Sequence, residues 1–219
     1  MKEVTPTMKK NVCKGLLALL LLFPLLMGLS IENAAKAAPI SPDLLNSLRQ
    51  GGYILYVRHG EANVGQDQPG LAFSDCSTQR NLSETGKRQA VDFGNIIRRL
   101  RIPVQYPVLA SPFCRTRETA QLAFGADPVR VDPFWINIYN LGGHLSLAEQ
   151  DRILNETAAV LEKQPAAGAN QVIVSHSFPQ GVGLGDIPNL GTVIIKPLGT
   201  GRGYEIVGRY TLDELMNVR

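Results

Sequence analysis

From residue 41 onward the chain alternates two hydrophobic patterns. Short, uninterrupted apolar runs read as buried strands, and stretches with apolar residues three and four apart read as amphipathic helices. Ser41 to Arg49 is expected as a short helix, with Ser41 as N-cap and Pro42 at its first position. Tyr53 to Val57 reads as the first strand, and Glu61 to Gln79, rich in turn formers and without a period, as a long loop. Ser83 then caps a helix to about Leu100. Ala90, Phe93, Ile97 and Leu100 form its apolar face, and Lys87, Arg88, Arg98 and Arg99 lie opposite. Pro107 to Ala110 predicts a short strand, and Thr116 to Phe124 a helix stopped by Gly125. A third long helix runs from Leu147 to Lys163, with Ile153, Leu154, Ala158 and Leu161 on one side. Gln171 to Val174, Thr192 to Lys196 and Tyr204 to Tyr210 are further strands, the last two joined by the glycine-rich turn 197–203. Helices and strands in this order predict one α/β domain, a three-layer α/β/α sandwich around a mostly parallel central sheet. No internal repeat or low-complexity linker interrupts it.

The first 37 residues break this pattern. Lys9, Lys10 and Lys14 precede an uncharged, leucine-rich run from Gly15 to Ile31, and Ala35-Lys36-Ala37 follows. A basic start, an apolar middle and a small-x-small site describe a secretory signal peptide, here residues 1–37 with the cut after Ala37, leaving 38–219 as the mature domain. The alternative is a retained membrane anchor. The run is near the lower length limit for a span, and Pro24 and Gly28 interrupt it.

Export changes the charge picture. The whole chain carries 22 Lys and Arg against 19 Asp and Glu; the signal's five basic and two acidic residues removed, 17 of each remain. The basic bias therefore belongs to the export signal and gives no support to nucleic-acid binding. The expected location is periplasmic or secreted, with no stable membrane association after cleavage. Cys76 and Cys114 are the cysteines left in the mature chain. An oxidising compartment permits them to pair, but only if the fold brings their Cα atoms close enough, and spacing leaves that open. Three histidines and no Cys-x-x-Cys argue against a dedicated zinc site, so no metal or cofactor is expected.

Three chemically loaded segments fall at strand ends: Arg58-His59-Gly60-Glu61, the stretch Ser111 to Ala120 containing Arg115, and Val174-Ser175-His176-Ser177. The carboxyl ends of strands in a mostly parallel sheet converge on one crevice. Two histidines and two arginines there make a phosphate pocket with a nucleophile inside it. Arg58 and Arg115 suit the oxygens of a phosphomonoester in forked hydrogen bonds. His59 suits in-line attack on phosphorus, and His176 adds a donor to the same oxygens. Gly60 would let the backbone pass close to the phosphate.

At these residues the chain resembles the histidine phosphatase superfamily, with its phosphoglycerate-mutase-like fold. Arg58 to Glu61 matches the signature after the first strand. Ser-Pro-x-x-Arg-Thr-x-x-Thr-Ala over Ser111 to Ala120 matches the second arginine block, and Ser175-His176 matches the second histidine. The resemblance implies phosphate binding by Arg58, Arg115 and His176 and phosphorylation of His59. It also marks a departure. The mutase-like branch takes its proton donor from a Glu after the second arginine block, and Phe134 to Leu147 holds no Asp or Glu. The acid phosphatase branch uses an Asp after the second histidine, and that position is Ser177 here. Glu149 is taken as the catalytic acid, with His144 and Asp186 as the alternatives. Short exported members resemble the chain most. Asp75 to Leu82 is similar to the phosphatases that act on heptose phosphates of the lipopolysaccharide core.

These readings imply a metal-independent phosphomonoesterase, a histidine phosphatase working through phospho-His59 on a small-molecule phosphomonoester such as a phosphosugar. A non-catalytic phosphate or phosphosugar binding module and a phosphomutase are the alternatives. The loop Glu61 to Gln79 and the segment Trp135 to Leu147 are expected to cover the pocket.

Overall fold

The computed structural model describes residues 40–218. The expected export signal over 1–37 lies outside the described residues. Six strands form one sheet: β1 (Ile54–Arg58), β2 (Val104–Ala110), β3 (Val129–Val131), β4 (Asn170–Ser175), β5 (Thr192–Pro197) and β6 (Tyr204–Tyr210). Their spatial order is β3-β2-β4-β1-β5-β6. The first four in that order run parallel, and β5 and β6 close the far edge antiparallel, so the expected mostly parallel sheet is present.

The period-2 geometry of β1 divides the core between two faces. Leu55 and Val57 join a cluster with Phe93, Ile97, Val108 and Val172, on the side covered by α1 (Pro42–Gln50), α2 (Glu84–Arg99), α3 (Cys114–Phe124) and α6 (Leu212–Met216). Ile54 and Tyr56 face the opposite way, packing with Trp135, Ile138, Ile153, Leu161 and Ile173 beneath α4 (Ile136–Asn140) and α5 (Leu147–Leu161). Both faces of β1 are therefore buried, which explains its unbroken apolar run. The expected apolar face of α2 is buried throughout, from Ala90 to Leu100.

Five elements differ from the sequence reading. β2 begins three residues early, at Val104, and its register against β4 shifts between Gln105 and Leu109, around Pro107. A proline offers no ladder N–H, which hides such a strand from a pattern reading. Helix α3 begins at Cys114, two residues early; its N-cap residue Phe113 makes no side-chain cap and so gives no start signal in the sequence. The Cys114 N–H instead donates to Gln79 Oε1 at 2.8 Å, from a distant loop. β3, α4 and α6 were not expected. They are three to five residues long, too short for a periodic signal.

Candidate active site

Strand register builds the centre of the site. β1 and β4 are parallel neighbours with Arg58 opposite Ser175, so the next residue on each, His59 and His176, emerge side by side. The His59 N–H donates to Ser175 O at 3.0 Å. The two rings meet edge to face, 5.4 Å between centroids, and are 3% and 4% exposed. On the other side of β4, β2 is followed by Ser111, whose N–H donates to Val174 O and whose Oγ lies 3.2 Å from His176 Nε2. The turn from β2 into α3 brings Arg115 to the same place. The four residues expected to bind and accept phosphate, Arg58, His59, Arg115 and His176, line one cavity of about 940 Å³.

The protonation of His59 follows from its contacts. Its Nδ1 lies 2.7 Å from Gly60 O. A carbonyl only accepts, so Nδ1 carries the proton and the lone pair of a neutral ring is left on Nε2. Burial, then the positive charge of Arg115, pushes the His59 pKa from 6.5 down to about 3. Burial and the neighbouring His59 and Arg115 charges also push His176 well below its ordinary value. Both rings are neutral near pH 7, the form in which an imidazole nitrogen is nucleophilic.

The arginines are pinned alike. Arg58 Nη1 donates to Ile187 O at 2.7 Å, and its Nε is buried without a partner. Arg115 is 1% exposed, and its Nη1 donates to Asp67 Oδ1 at 2.9 Å and to Arg80 O at 3.3 Å. Its Nη2 donates to Asp67 Oδ2 at 3.3 Å, and its Nε is likewise buried and unpartnered. The rings of Phe113 and Tyr139 lie 4.3 and 5.5 Å from its guanidinium carbon. Buried donors without partners are rare in folded proteins. Two of them, on two cations lining one cavity beside two imidazoles, mark a place suited to an anion.

Glu149 is not brought to this cavity. It is the third residue of α5, exposed, and its carboxylate accepts from Ser146 N–H at 3.1 Å and Ser146 O–H at 2.8 Å in a capping box. The Ser-x-x-Glu spacing over 146–149 is a helix-start signal, and that accounts for the residue. His144 is exposed and also off the cavity wall. Among the described residues, Asp186 is the carboxylate on that wall. It is exposed, and its Oδ1 accepts from Ser177 O–H at 2.8 Å. Ser177, the residue after His176, thus holds on the cavity wall a carboxylate that the local sequence does not contain.

Other residues take unexpected places. Gly60 meets α2 rather than opening space toward a phosphate: a Cβ there would lie 2.6 Å from Gly86 O and 3.0 Å from Leu190 Cδ2. Glu61 accepts from Ser83 O–H at 2.6 Å and so latches the corner to the cap of α2. The Cys114 N–H at the start of α3 is already taken by Gln79, so it is not free for an anion. Cys76 and Cys114 form a disulfide across 38 residues, tying the long loop to the residue before Arg115. Asp67 escaped the sequence reading entirely. Its partners lie 13, 48 and 72 residues away, and no local pattern announces such contacts.

No curated protein matches the chain in sequence. Among solved structures, a candidate alpha-ribazole-5'-P phosphatase from Escherichia coli str. K-12 substr. MG1655 superposes with a TM-score of 0.51 at 16% identity, covering 74% of this chain and 98% of that one. The protein histidine phosphatase SixA complexed with tungstate gives 0.47 at 14% identity, covering 74% and 99%. Phosphoserine phosphatase from Entamoeba histolytica in complex with 3-phosphoglyceric acid gives 0.47 at 17%, covering 74% and 98%. At such identities the likeness concerns the fold. Residues 54–142, which hold Arg58, His59 and Arg115, match the histidine phosphatase superfamily (branch 1), carried on a phosphoglycerate-mutase-like α/β fold.

Proposed function

We propose that this protein is a phosphomonoesterase that forms a phosphohistidine on His59. One observation carries the reading: Arg58 and Arg115, each with a buried, partnerless Nε donor, line one cavity with a neutral His59 whose free lone pair is on Nε2. A phosphomonoester dianion supplies the acceptors these donors lack. The two guanidiniums then neutralise the charge spread over the equatorial oxygens during transfer.

In the first step the lone pair of His59 Nε2 forms the N–P bond, and the bond from phosphorus to the ester oxygen breaks. The leaving oxygen takes a proton from the carboxylic acid of Asp186, releasing the alcohol. In the second step Asp186, now a carboxylate, takes a proton from water as its oxygen attacks phosphorus. The N–P bond breaks, inorganic phosphate departs and both residues are restored. Asp186 takes the role expected of Glu149, because it stands on the cavity wall and Glu149 does not. Arg58 and Arg115 supply the positive field themselves, so the reaction is proposed to run without a metal ion.

The proposed setting is the periplasm or the exterior, after removal of residues 1–37. The proposed substrate is a small phosphomonoester, with a phosphosugar such as a heptose phosphate of the lipopolysaccharide core first to be tried. The stretch 75–82 that prompts this choice contributes Arg80 to the cavity wall.

The test is turnover of p-nitrophenyl phosphate and a panel of sugar phosphates, with and without chelator, by the protein and by His59→Ala. Turnover that survives chelator and disappears in His59→Ala, with an acid-labile phosphoenzyme trapped by rapid quench, is the expected result. Phosphate binding without turnover on any substrate would replace the reading with a binding module. Return of the phosphoryl group to product would make it a mutase.

A further inference from the structure

We infer that Asp67 is the positioning residue for Arg115: it grips the outer edge of the guanidinium and so presents the inner Nε–Nη2 edge to the phosphate. This rests on the phosphatase reading of the site.

A guanidinium offers five N–H groups in one plane. At Arg115 the outer edge is occupied by Asp67, with Nη1 to Oδ1 at 2.9 Å and Nη2 to Oδ2 at 3.3 Å. A further Nη1–H reaches Arg80 O at 3.3 Å. Phe113 and Tyr139 lie against the group. What remains is the side edge formed by Nε–H and the adjacent Nη2–H, and Nε is buried with no partner. That edge matches two oxygens of a phosphate. Arg58, held through Nη1 by Ile187 O, likewise has a buried Nε with no partner.

Asp67 is itself fixed. Its side chain is 10% exposed, Oδ1 accepts from Arg80 N–H at 2.8 Å, and Oδ2 accepts from Tyr139 O–H at 3.0 Å. Burial alone would raise its pKa, but the Arg80 amide, Arg115 and the Tyr139 hydroxyl outweigh that and hold it below the usual carboxylate range. Asp67 and Arg115 are thus charged and docked before substrate arrives, so binding needs no reorganisation of the guanidinium.

A rival role has the opposite sign. A carboxylate on a phosphate-binding arginine can also act as a plug that phosphate must displace. Removing a positioning residue weakens phosphate binding, and removing a plug strengthens it.

The experiment is calorimetric titration of inorganic phosphate into the wild type, Asp67→Asn, Arg115→Lys and the double variant, with kcat and KM for p-nitrophenyl phosphate measured alongside. Asp67→Asn is expected to weaken phosphate binding and raise KM about 10- to 100-fold, the scale of a misplaced binding group. In the Arg115→Lys background the same change should add nothing, because Asp67 acts through Arg115. Tighter or unchanged phosphate binding in folded Asp67→Asn, or additive losses in the double variant, would overturn the inference. If Asp67→Asn does not fold, Asp67→Glu keeps the charge but moves the carboxylate by one methylene, and unchanged binding there overturns it equally. A wild type that neither binds nor turns over phosphate compounds would overturn the functional reading as well.

Discussion

Acidification should destabilise this protein through His59, by an amount that its burial sets. The ring is 3% exposed beside two guanidiniums, and its pKa is pushed from 6.5 down to about 3. In the unfolded chain the same ring takes up a proton near pH 6.5. Between those values the unfolded state binds one proton that the folded state refuses. The His59 contribution to stability is therefore fully present above pH 6.5 and is lost as pH falls toward 3, at about 1.4 kcal/mol per pH unit. Over the whole interval that is about 5 kcal/mol, a large share of the 5–15 kcal/mol that holds a typical domain together. His176, lowered by burial and by the His59 and Arg115 charges, acts in the same direction. The assay is denaturant unfolding in phosphate-free buffers from about pH 7.5 to about pH 4.5, on the wild type and His59→Asn. The Asn amide can still donate to Gly60 O but does not titrate. The wild type should lose stability faster than the variant by about 1.4 kcal/mol per pH unit below pH 6. Parallel curves for the two proteins would refute the reasoning.

Other perturbations probe separate parts of the argument. Gly86→Ala places a Cβ 2.0 Å from Glu61 O, so the corner carrying Arg58 to Glu61 must move; kcat should fall by about 10- to 100-fold with a melting loss of only about 1–3 kcal/mol, and wild-type kcat would contradict the account. Replacing Cys76 and Cys114 with Ser should cost about 4 kcal/mol, from a 38-residue separation, in denaturant melts. Glu149→Ala should lower the denaturant midpoint slightly through the lost capping box and leave kcat unchanged. Asp186→Asn should slow alkyl phosphates by about 10²- to 10⁴-fold and p-nitrophenyl phosphate far less, since nitrophenolate leaves without a proton.

The frame of the domain was legible because its signals are local. β1 is buried on both faces and reads as an unbroken apolar run; α2 is buried on one face and repeats at helical spacing. Short elements gave less. α6 spans five residues, yet its Thr211-x-x-Glu214 capping box was present in the sequence and would have located it. α3 could not be bounded, since Gln79, 35 residues upstream, caps its first N–H. The site divided the same way. Arg58, His59, Arg115 and His176 stand out as residue types at strand ends, and the structure brings those four to one cavity. The acid did not stand out, because Glu149 and Asp186 differ in what they touch and not in what they are.

The sequence by itself determined the alternation of helices and strands, the neutrality of the chain beyond residue 37, and the presence of two histidines and two arginines suited to phosphate. Hydrophobic period and side-chain chemistry are written into neighbouring residues, so they survive without a fold. The tertiary structure alone decided that His59 meets His176, 117 residues on, through the register of β1 and β4. It also decided that Asp67 takes the outer edge of Arg115, that Cys76 joins Cys114, and that Ser177 holds Asp186 in the cavity wall. Those contacts depend on the path of the backbone between residues 9 to 117 positions apart, and the pattern at either end does not encode that path.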